Sequence, residues 1–279
     1  MNTIIENTQK IGLFFNSNRG LQVFKKINRK FAVDIYLSKK NLNKSVINYL
    51  KRKKIRFKIL NKLSDKFIST IKKKKYFLLI SAGFPLIFQN KLIKSSKNST
   101  INLHAGPLPS YRGGSPLNWQ IINGEKKIEI NIIKMVQKVD AGPVYAHRKF
   151  KLHKQGTIKT VHEKVNKLFP IMVEETIKKI IKKKKPKKQP NRNIKIYKQR
   201  NDNDGKINWN KKNANEVYNF VRALGKPYPG AFYLKNKKRT RIFRCKISKQ
   251  NPKILPGSIF YIKRKAYIKC KKYSIKIIN

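Results

Sequence analysis

Acidic residues are the scarcest class in this 279-residue chain, which has 12 Asp and Glu against 69 Lys and Arg and a formal net charge of +57. The lysines are dispersed over the whole length and come with abundant Ile and Asn, a mixture typical of A/T-biased coding. A dedicated phosphate surface would favour Arg, whose planar fork pairs with two oxygens. We therefore interpret the positive charge as a result of biased coding, which places lysine on solvent-exposed faces. Attraction to polyanions follows from the charge in any case.

Cysteine and long apolar runs are also scarce. Cys245 and Cys270 are too few for a disulfide framework and have no metal-ligand spacing. No stretch approaches the ~20 apolar residues that span a bilayer. The segment Met1–Gly12 contains Glu6 and lacks the apolar core of a secretion signal. These absences predict a cytoplasmic protein with no membrane span and no metal.

The N-terminal two-thirds of the chain alternates short apolar runs with segments of helical spacing. Strands are predicted at 11–15, 31–37, 55–60, 77–81 and 101–103, and helices at 21–27, 46–53, 63–71 and 157–182. Such alternation predicts βαβ units around a mostly parallel sheet, that is, a Rossmann-like α/β domain over residues 1–181. Ligands bind beyond the carboxyl ends of such strands, so the loops after Ser81 and Leu103 are expected at the site.

The run KKKKPKKQP from Lys182 to Pro190 ends the long helix and separates two domains. It begins a predicted linker over residues 182–198, interpreted as a solvated charge run, with a polyanion contact as the alternative. Residues 199–279 have a different pattern, with a short helix at 214–224 and strands at 231–234, 239–247, 258–262, 266–270 and 273–277. Five short strands with Gly and Pro turns predict a small OB-like β-barrel.

The segment INLHAGPLPSYRGGSPLNW, residues 101–119, is the densest in chemical groups. Asn102 and His104 are two apart at a strand end, so their side chains project to one face. An amide N–H can stabilise an oxyanion, and an imidazole can accept or return a proton near neutral pH. Asp140 follows a later strand, and a carboxylate beside His104 would favour the imidazolium and fix its orientation. The three residues predict attack on an acyl carbon, whereas His104 alone would more often be a hydrogen-bonded core or loop histidine.

The pattern formed by Asn102, His104, Leu108-Pro109, Arg112-Gly113 and Asp140-x-Gly142 resembles the folate-dependent formyltransferases. That family includes methionyl-tRNA, glycinamide ribonucleotide and sugar-nucleotide N-formyltransferases. The resemblance implies that Asn102, His104 and Asp140 catalyse transfer of a formyl group from 10-formyltetrahydrofolate to a primary amine without a metal.

Two further sets of residues take their expected roles from the same resemblance. The set expected to border the folate comprises Gly83, Phe84, Leu86, Val139 and Gly142. For the loop that carries Phe84 and Leu86, plain loop packing is the alternative. Arg112 and Gly113 are expected to bind the acceptor, with Arg112 contacting a diphosphate. The alternative for Arg112 is that it only braces its loop.

The resemblance continues into the second domain, where Asp204–Trp209 (DGKINW) and Lys226–Phe232 (KPYPGAF) are similar to the methionyl-tRNA and aminoarabinose-pathway enzymes. The glycinamide enzymes lack this domain. The turn Asn16–Arg19 replaces a Gly-Thr-Pro-type turn of the tRNA enzymes, and Leu37–Ser45 lacks their tRNA-engaging insertion. Ser115–Trp119 is similar to the aminoarabinose enzyme. These departures favour a nucleotide-linked amino sugar as acceptor, with methionyl-tRNA as the alternative.

Two other function classes stay open at this point. One is a basic RNA-binding module that keeps the formyltransferase shape without its chemistry, which the intact Asn102, His104 and Asp140 oppose. The other is a hydrolase that delivers the formyl group to water. An N-formyl product rather than formate would separate transfer from hydrolysis.

Overall fold

The computed structural model describes residues 9–278, so the first eight residues of the Met1–Gly12 segment lie outside the described range. Helices in that range are α1 Asn18–Ile27, α2 Lys44–Arg52, α3 Asp65–Lys73, α4 Asn90–Ile93, α5 Pro116–Ile122, α6 Ile158–Ile181 and α7 Ala214–Leu224. The first eight strands are β1 Lys10–Phe15, β2 Ala32–Ser38, β3 Phe57–Leu60, β4 Leu78–Ala82, β5 Ser99–His104, β6 Arg112–Gly113, β7 Lys127–Lys134 and β8 Val144–Lys151. They are followed by β9 Ile196–Tyr197, β10 Ala231–Lys235, β11 Lys238–Ile242, β12 Cys245–Ser248, β13 Ile259–Ile262, β14 Lys265–Lys269 and β15 Ser274–Ile277.

A seven-stranded sheet in the order β3-β2-β1-β4-β5-β7-β8 forms the centre of the N-terminal part. Strands β1 to β5 pair in parallel, and β7 runs antiparallel to β5. The central strands β1 and β4 are buried almost throughout, which is why they are nearly continuous apolar runs. The predicted Rossmann-like, mostly parallel sheet is confirmed.

The strand β8 was not predicted, because the last strand expected in the N-terminal part ends before the Asp140 turn. Its sequence VYAHRKFK has an exposed or half-buried residue at seven of eight positions. It lies at the end of the sheet order. Edge strands commonly carry charged side chains, which hide the apolar alternation that identifies a strand.

A cluster of aromatic side chains packs on one side of the sheet and supports the loop after β4. Phe14 stacks on Tyr36 with ring centroids 4.7 Å apart and meets Phe88 edge-on at 4.9 Å. The half-buried side chains of Phe84, Leu86 and Met135 pack against this cluster. Phe84 and Leu86 follow β4, whereas Met135 follows β7. The loops after β4 and β7 therefore rest on a common apolar base.

The chain forms two compact units, each assembled from three segments. One comprises residues up to 112, 129–149 and 164–195, and the other comprises 113–128, 150–163 and the residues from 196 onward. In this division residues 113–128 and 150–163 group with the C-terminal residues. The predicted domains, with a boundary after residue 181, stay a prediction. Within residues 9–278, no helix combines the length and apolar character needed to cross a bilayer.

The C-terminal strands form two antiparallel sheets, β10-β11 and β12-β15-β14-β13. The prediction of a single strand over 239–247 was wrong, since Phe243 and Arg244 divide it into β11 and β12. β11 pairs with β10, whereas β12 pairs with β15. A strand that changes partner has to bend, and alternation of apolar residues does not reveal that bend.

The lysine run after α6 is exposed, as predicted for a charge run, but its backbone is held by β8. Lys187 and Val144 exchange two backbone hydrogen bonds of 2.7 and 2.9 Å. The neutral side chain of Gln189 is half-buried, unlike those of the lysines around it. This part of the predicted linker is therefore hydrogen-bonded to the unit that contains Val144.

Candidate active site

Strand pairing brings the three predicted catalytic residues together. Asn102 and His104 end β5, and β7 pairs antiparallel with β5 so that Asn131 lies opposite His104. After β7 the chain turns back, since the Lys134 N–H donates to the Pro143 carbonyl at 2.9 Å. This returning loop carries Asp140 to the side chains of β5.

The Asp140 carboxylate contacts His104, as predicted, and also Asn102. Asn102 Nδ2 donates to Asp140 Oδ1 at 3.2 Å, and His104 Nδ1 lies 3.3 Å from Asp140 Oδ2. His104 Nε2 lies 2.7 Å from the backbone carbonyl of Tyr111. The His104 side chain is 4% exposed and that of Asp140 is 11% exposed. The carboxylate thus orients an amide donor and an imidazole in a site that is mostly shielded from water.

The surroundings of His104 determine which nitrogen carries a proton. A carbonyl only accepts hydrogen bonds, so Nε2 donates to Tyr111 and Nδ1 of the neutral ring is left facing Asp140. Burial lowers the pKa of His104 below its ordinary value, and the charges of Arg19 and Arg112 act in the same direction. Asp140 raises that pKa, as the sequence predicted, but burial is the larger effect. The neutral imidazole can therefore accept a proton at Nδ1, where the Asp140 carboxylate lies close enough to stabilise the resulting imidazolium.

The turn that carries Asp140 has an unusual backbone. Asp140 is in the left-handed region with φ +47°, which is uncommon for a residue other than glycine. A Cβ at Gly142 would lie 1.7 Å from the Lys134 carbonyl oxygen, so no side chain fits at that position. Gly142 is therefore required by the close approach of two backbone segments, and its predicted place beside the folate stays a prediction.

The other residues predicted to border the folate lie on the loops after β4 and β7. Gly83 has φ +73°, which allows the sharp turn out of β4. Phe84 and Leu86 pack on the aromatic cluster, while Val139, one residue before Asp140, is 51% exposed. Ile87 is 83% and Val136 38% exposed on the same two loops. These loops thus expose apolar side chains near a carboxylate that is mostly shielded from water.

Arg112 and Gly113, which the sequence analysis assigned to the acceptor, are both placed by packing. Arg112 is 4% exposed, and its Nε and Nη2 donate to Gln189 Oε1 at 3.2 and 2.8 Å. A Cβ at Gly113 would lie 2.2 Å from the Tyr197 carbonyl oxygen. This geometry favours the alternative interpretation, in which Arg112 braces its surroundings.

Three residues near the site were not singled out from the sequence. Asn131 is buried and donates to the Gly106 carbonyl at 2.8 Å, which holds the loop after His104. Arg19 affects the pKa of His104 through its charge, and its position in the altered turn after β1 was an available signal. Gln189 gave one signal, as the only residue other than Lys and Pro in its run. Among the described residues, no group of three or more His, Cys, Asp or Glu could hold a metal ion.

Two family models match successive parts of this chain. The family model "Formyl transferase" matches residues 27–177, and "Formyl transferase, C-terminal domain" matches residues 200–279. The chain is 34% identical over 215 residues to the bifunctional polymyxin resistance protein ArnA of Wigglesworthia glossinidia brevipalpis, covering 77% of this chain and 32% of that protein. It is 29% identical over 217 residues to methionyl-tRNA formyltransferase of Malacoplasma penetrans, covering 77% of this chain and 67% of that one.

A solved structure supports the fold at low sequence identity. The N-formyltransferase from Helicobacter canadensis, in complex with folinic acid and dTDP-3-aminofucose, superposes with a TM-score of 0.71 at 19% identity, covering 97% of this chain and 98% of that one. The first family model alone spans residues 27–177, more than half of the chain. The chain therefore belongs to the formyl transferase family.

Proposed function

We propose that this protein transfers a formyl group from 10-formyltetrahydrofolate to a primary amine. One observation carries the proposal: the Asp140 carboxylate contacts both Asn102 Nδ2 and His104 Nδ1 in a mostly buried site. An oxyanion donor, a base and a carboxylate that stabilises the protonated base are the groups that acyl transfer to an amine requires. Family membership agrees with this chemistry.

The reaction makes one C–N bond and breaks another. The unprotonated acceptor amine attacks the formyl carbon, and the formyl oxygen becomes an oxyanion. Asn102 has two amide hydrogens, of which one is donated to Asp140, so the second can stabilise the oxyanion. His104 Nδ1 accepts the proton that the attacking nitrogen loses, and Asp140 stabilises the imidazolium. That proton then passes to the folate nitrogen as its bond to carbon breaks, which leaves tetrahydrofolate and the N-formyl amine.

The loops around the site fit a flat folate ring. Such a ring needs apolar walls and a few polar groups in a concave site. Ile87, Val136 and Val139 are exposed apolar side chains on the two loops that flank the carboxylate. Phe84 and Met135 anchor those loops to the same aromatic cluster. When bound, 10-formyltetrahydrofolate supplies the activated formyl carbon, and these loops would hold it beside Asn102 and His104.

For the acceptor we favour a nucleotide-linked amino sugar. Asn16 of the altered turn donates to the carbonyls of Ser38 and Lys40 at 2.8 and 2.5 Å and accepts from the Ser38 N–H at 2.7 Å. It thereby fixes the short connection between β2 and α2, which ends at the helix cap Asn43. The two departures noted in the sequence are thus one structural feature, in which a compact loop stands where an insertion would engage tRNA. The superposable enzyme from Helicobacter canadensis, solved with dTDP-3-aminofucose, agrees with this acceptor class.

Methionyl-tRNA is the second candidate, and the relatives give a specific reason for it. Methionyl-tRNA formyltransferases from several bacteria are 28–32% identical to this chain over 66–78% of its length. The basic surface would also attract tRNA. Neither the identity to these enzymes nor the basic surface depends on the residues around Asn16, on which the sugar hypothesis rests.

Direct competition between acceptors tests the assignment. The protein is supplied with 10-formyltetrahydrofolate, charged methionyl-tRNA and a panel of nucleotide-linked 3- and 4-amino sugars at physiological salt. Our proposal predicts that one sugar is converted to its N-formyl derivative. Formylation of the tRNA alone would end the sugar hypothesis, and release of formate without an N-formyl product would indicate a hydrolase.

A further inference from the structure

Gln189, in the lysine-rich run after α6, reaches the turn that carries Asp140. Its Nε2 donates to the backbone carbonyls of Asp140 and Gly142, both at 2.7 Å. These two carbonyls flank Ala141, so one amide group bridges the turn from one side to the other. The side chain is half-buried, although the lysines around it are exposed.

The bridged turn is one that requires external support. Asp140 has φ +47°, a left-handed conformation that carries some strain for a residue other than glycine. The Pro143 carbonyl accepts from Lys134 and so closes the loop at its base, but this contact lies three residues beyond the carboxylate. The Gln189 amide instead binds the Asp140 carbonyl itself. It therefore fixes the backbone from which the carboxylate projects toward Asn102 and His104.

Arg112 determines which way the Gln189 amide points. Its guanidinium has five N–H donors and no acceptor, so only the amide oxygen can face it. Two of those donors bind Gln189 Oε1, at 3.2 and 2.8 Å. The amide nitrogen must then face the turn, where the two carbonyls accept its hydrogens. Arg112 is buried, which holds this orientation away from solvent.

We propose that Gln189 is a positioning residue for formyl transfer, which holds Asp140 in contact with Asn102 and His104 in an orientation set by Arg112. The inference rests on the proposed function. The lysine-rich run then has a second role besides connecting the domains, because it delivers one neutral side chain to the back of the catalytic turn. Misplacement of a catalytic group by ~1 Å can slow an enzyme by ~10²-fold, so the effect on turnover is measurable.

Two substitutions separate this role from simple packing against Arg112. Gln189→Glu keeps the volume and the acceptor for Arg112 but has no hydrogen to donate, and its second oxygen would face two carbonyls. Gln189→Met keeps the volume and removes both contacts. If Gln189 only provided Arg112 with a partner, Glu would serve at least as well as Gln. If Gln189 positions the turn, we expect both variants to lose turnover by ~10- to 100-fold.

The matched control is Gln22→Glu, which makes the same charge change on the surface of α1, where Gln22 donates to Asn18 at 3.1 Å. We expect its turnover to equal that of the unaltered protein. Thermal unfolding of each variant shows whether it is folded. If Gln189→Glu does not fold, Gln189→Met decides through the readouts below.

A second readout does not depend on activity. Asp140 raises the pKa of His104, while burial, Arg19 and Arg112 lower it. Displacement of the carboxylate in Gln189→Met should therefore lower the His104 pKa further in an NMR titration of the imidazole. Turnover of Gln189→Glu equal to that of the unaltered protein, or an unchanged His104 pKa in Gln189→Met, would overturn the inference. An inactive unaltered protein whose His104 pKa still falls in Gln189→Met would contradict formyl transfer but keep the positioning role.

Discussion

Replacement of Asp140 by Asn removes one charge from the site and keeps its shape. The carboxylate lies 3.3 Å from His104 Nδ1 and accepts from Asn102 at 3.2 Å. An Asn side chain at position 140 can retain the contact with Asn102 through its oxygen. Its uncharged NH2 group then faces the imidazole in place of a carboxylate oxygen. The imidazolium that forms when His104 accepts the amine proton would lose its counter-charge.

The size of this loss follows from the geometry. Opposite unit charges about 4 Å apart attract by about 4 kcal/mol at an effective dielectric constant of 20. Because each 1.36 kcal/mol changes a rate tenfold, loss of most of this attraction slows turnover by ~10²- to 10³-fold. Burial already holds the pKa of His104 below its ordinary value, and Asp140 opposes that effect. Its removal should therefore move the acidic limb of the pH–rate profile to lower pH.

The assay measures N-formyl product under single-turnover conditions across a pH series, with folate affinity measured separately by titration. We expect Asp140→Asn to bind folate nearly as well as the unaltered protein while its chemical step slows. Near-normal turnover with the true acceptor, or an acidic limb that moves to higher pH, would refute the role assigned to Asp140.

Three other predictions concern the turn, the loop and the surface. Gly142→Ala should lower turnover by ~10²-fold, since the added Cβ would lie 1.7 Å from a backbone oxygen. The control is Gly225→Ala, because the atom nearest to a Cβ added at Gly225 is 3.7 Å away. Asn16→Ala should lower the free energy of unfolding by about 1–3 kcal/mol in urea titrations, because it removes the side chain that pairs with the buried backbone groups of Ser38. The control is Asn28→Ala, at an exposed position. Equal stability of the two variants would contradict the structure. The protein should bind DNA, tRNA and heparin alike, with an affinity that falls by ~10³-fold or more between 50 and 200 mM salt. A preference for initiator tRNA that persists at physiological salt would contradict our interpretation of the charge.

The parts of the fold that the sequence predicted are those where local pattern and burial agree. The apolar runs of β1 and β4 indicated buried parallel strands, and both were found with bounds shifted by about one residue. Helix α6 was predicted at 157–182 and is found at Ile158–Ile181.

The parts that escaped prediction depend on partners distant in sequence. Phe243 and Arg244 interrupt a strand because β11 and β12 pair with different neighbours, and no local signal marks that change. Asn102, His104 and Asp140 could be recognised because motif and spacing identify them. Gln189 could not, since its importance comes from bonds to Asp140 and Arg112, 49 and 77 residues away.

The most direct test of the central claim follows the formyl carbon. The protein is mixed with 10-formyltetrahydrofolate that carries a ¹³C-labelled formyl group and with the panel of amino sugars and charged tRNA, and the label is located by mass spectrometry. We predict that the label appears in an N-formyl amine in equal amount to the tetrahydrofolate released, and that His104→Ala slows this transfer by ~10²-fold or more without abolishing folate binding. Label recovered only as formate, or transfer that His104→Ala leaves unchanged, would contradict the account.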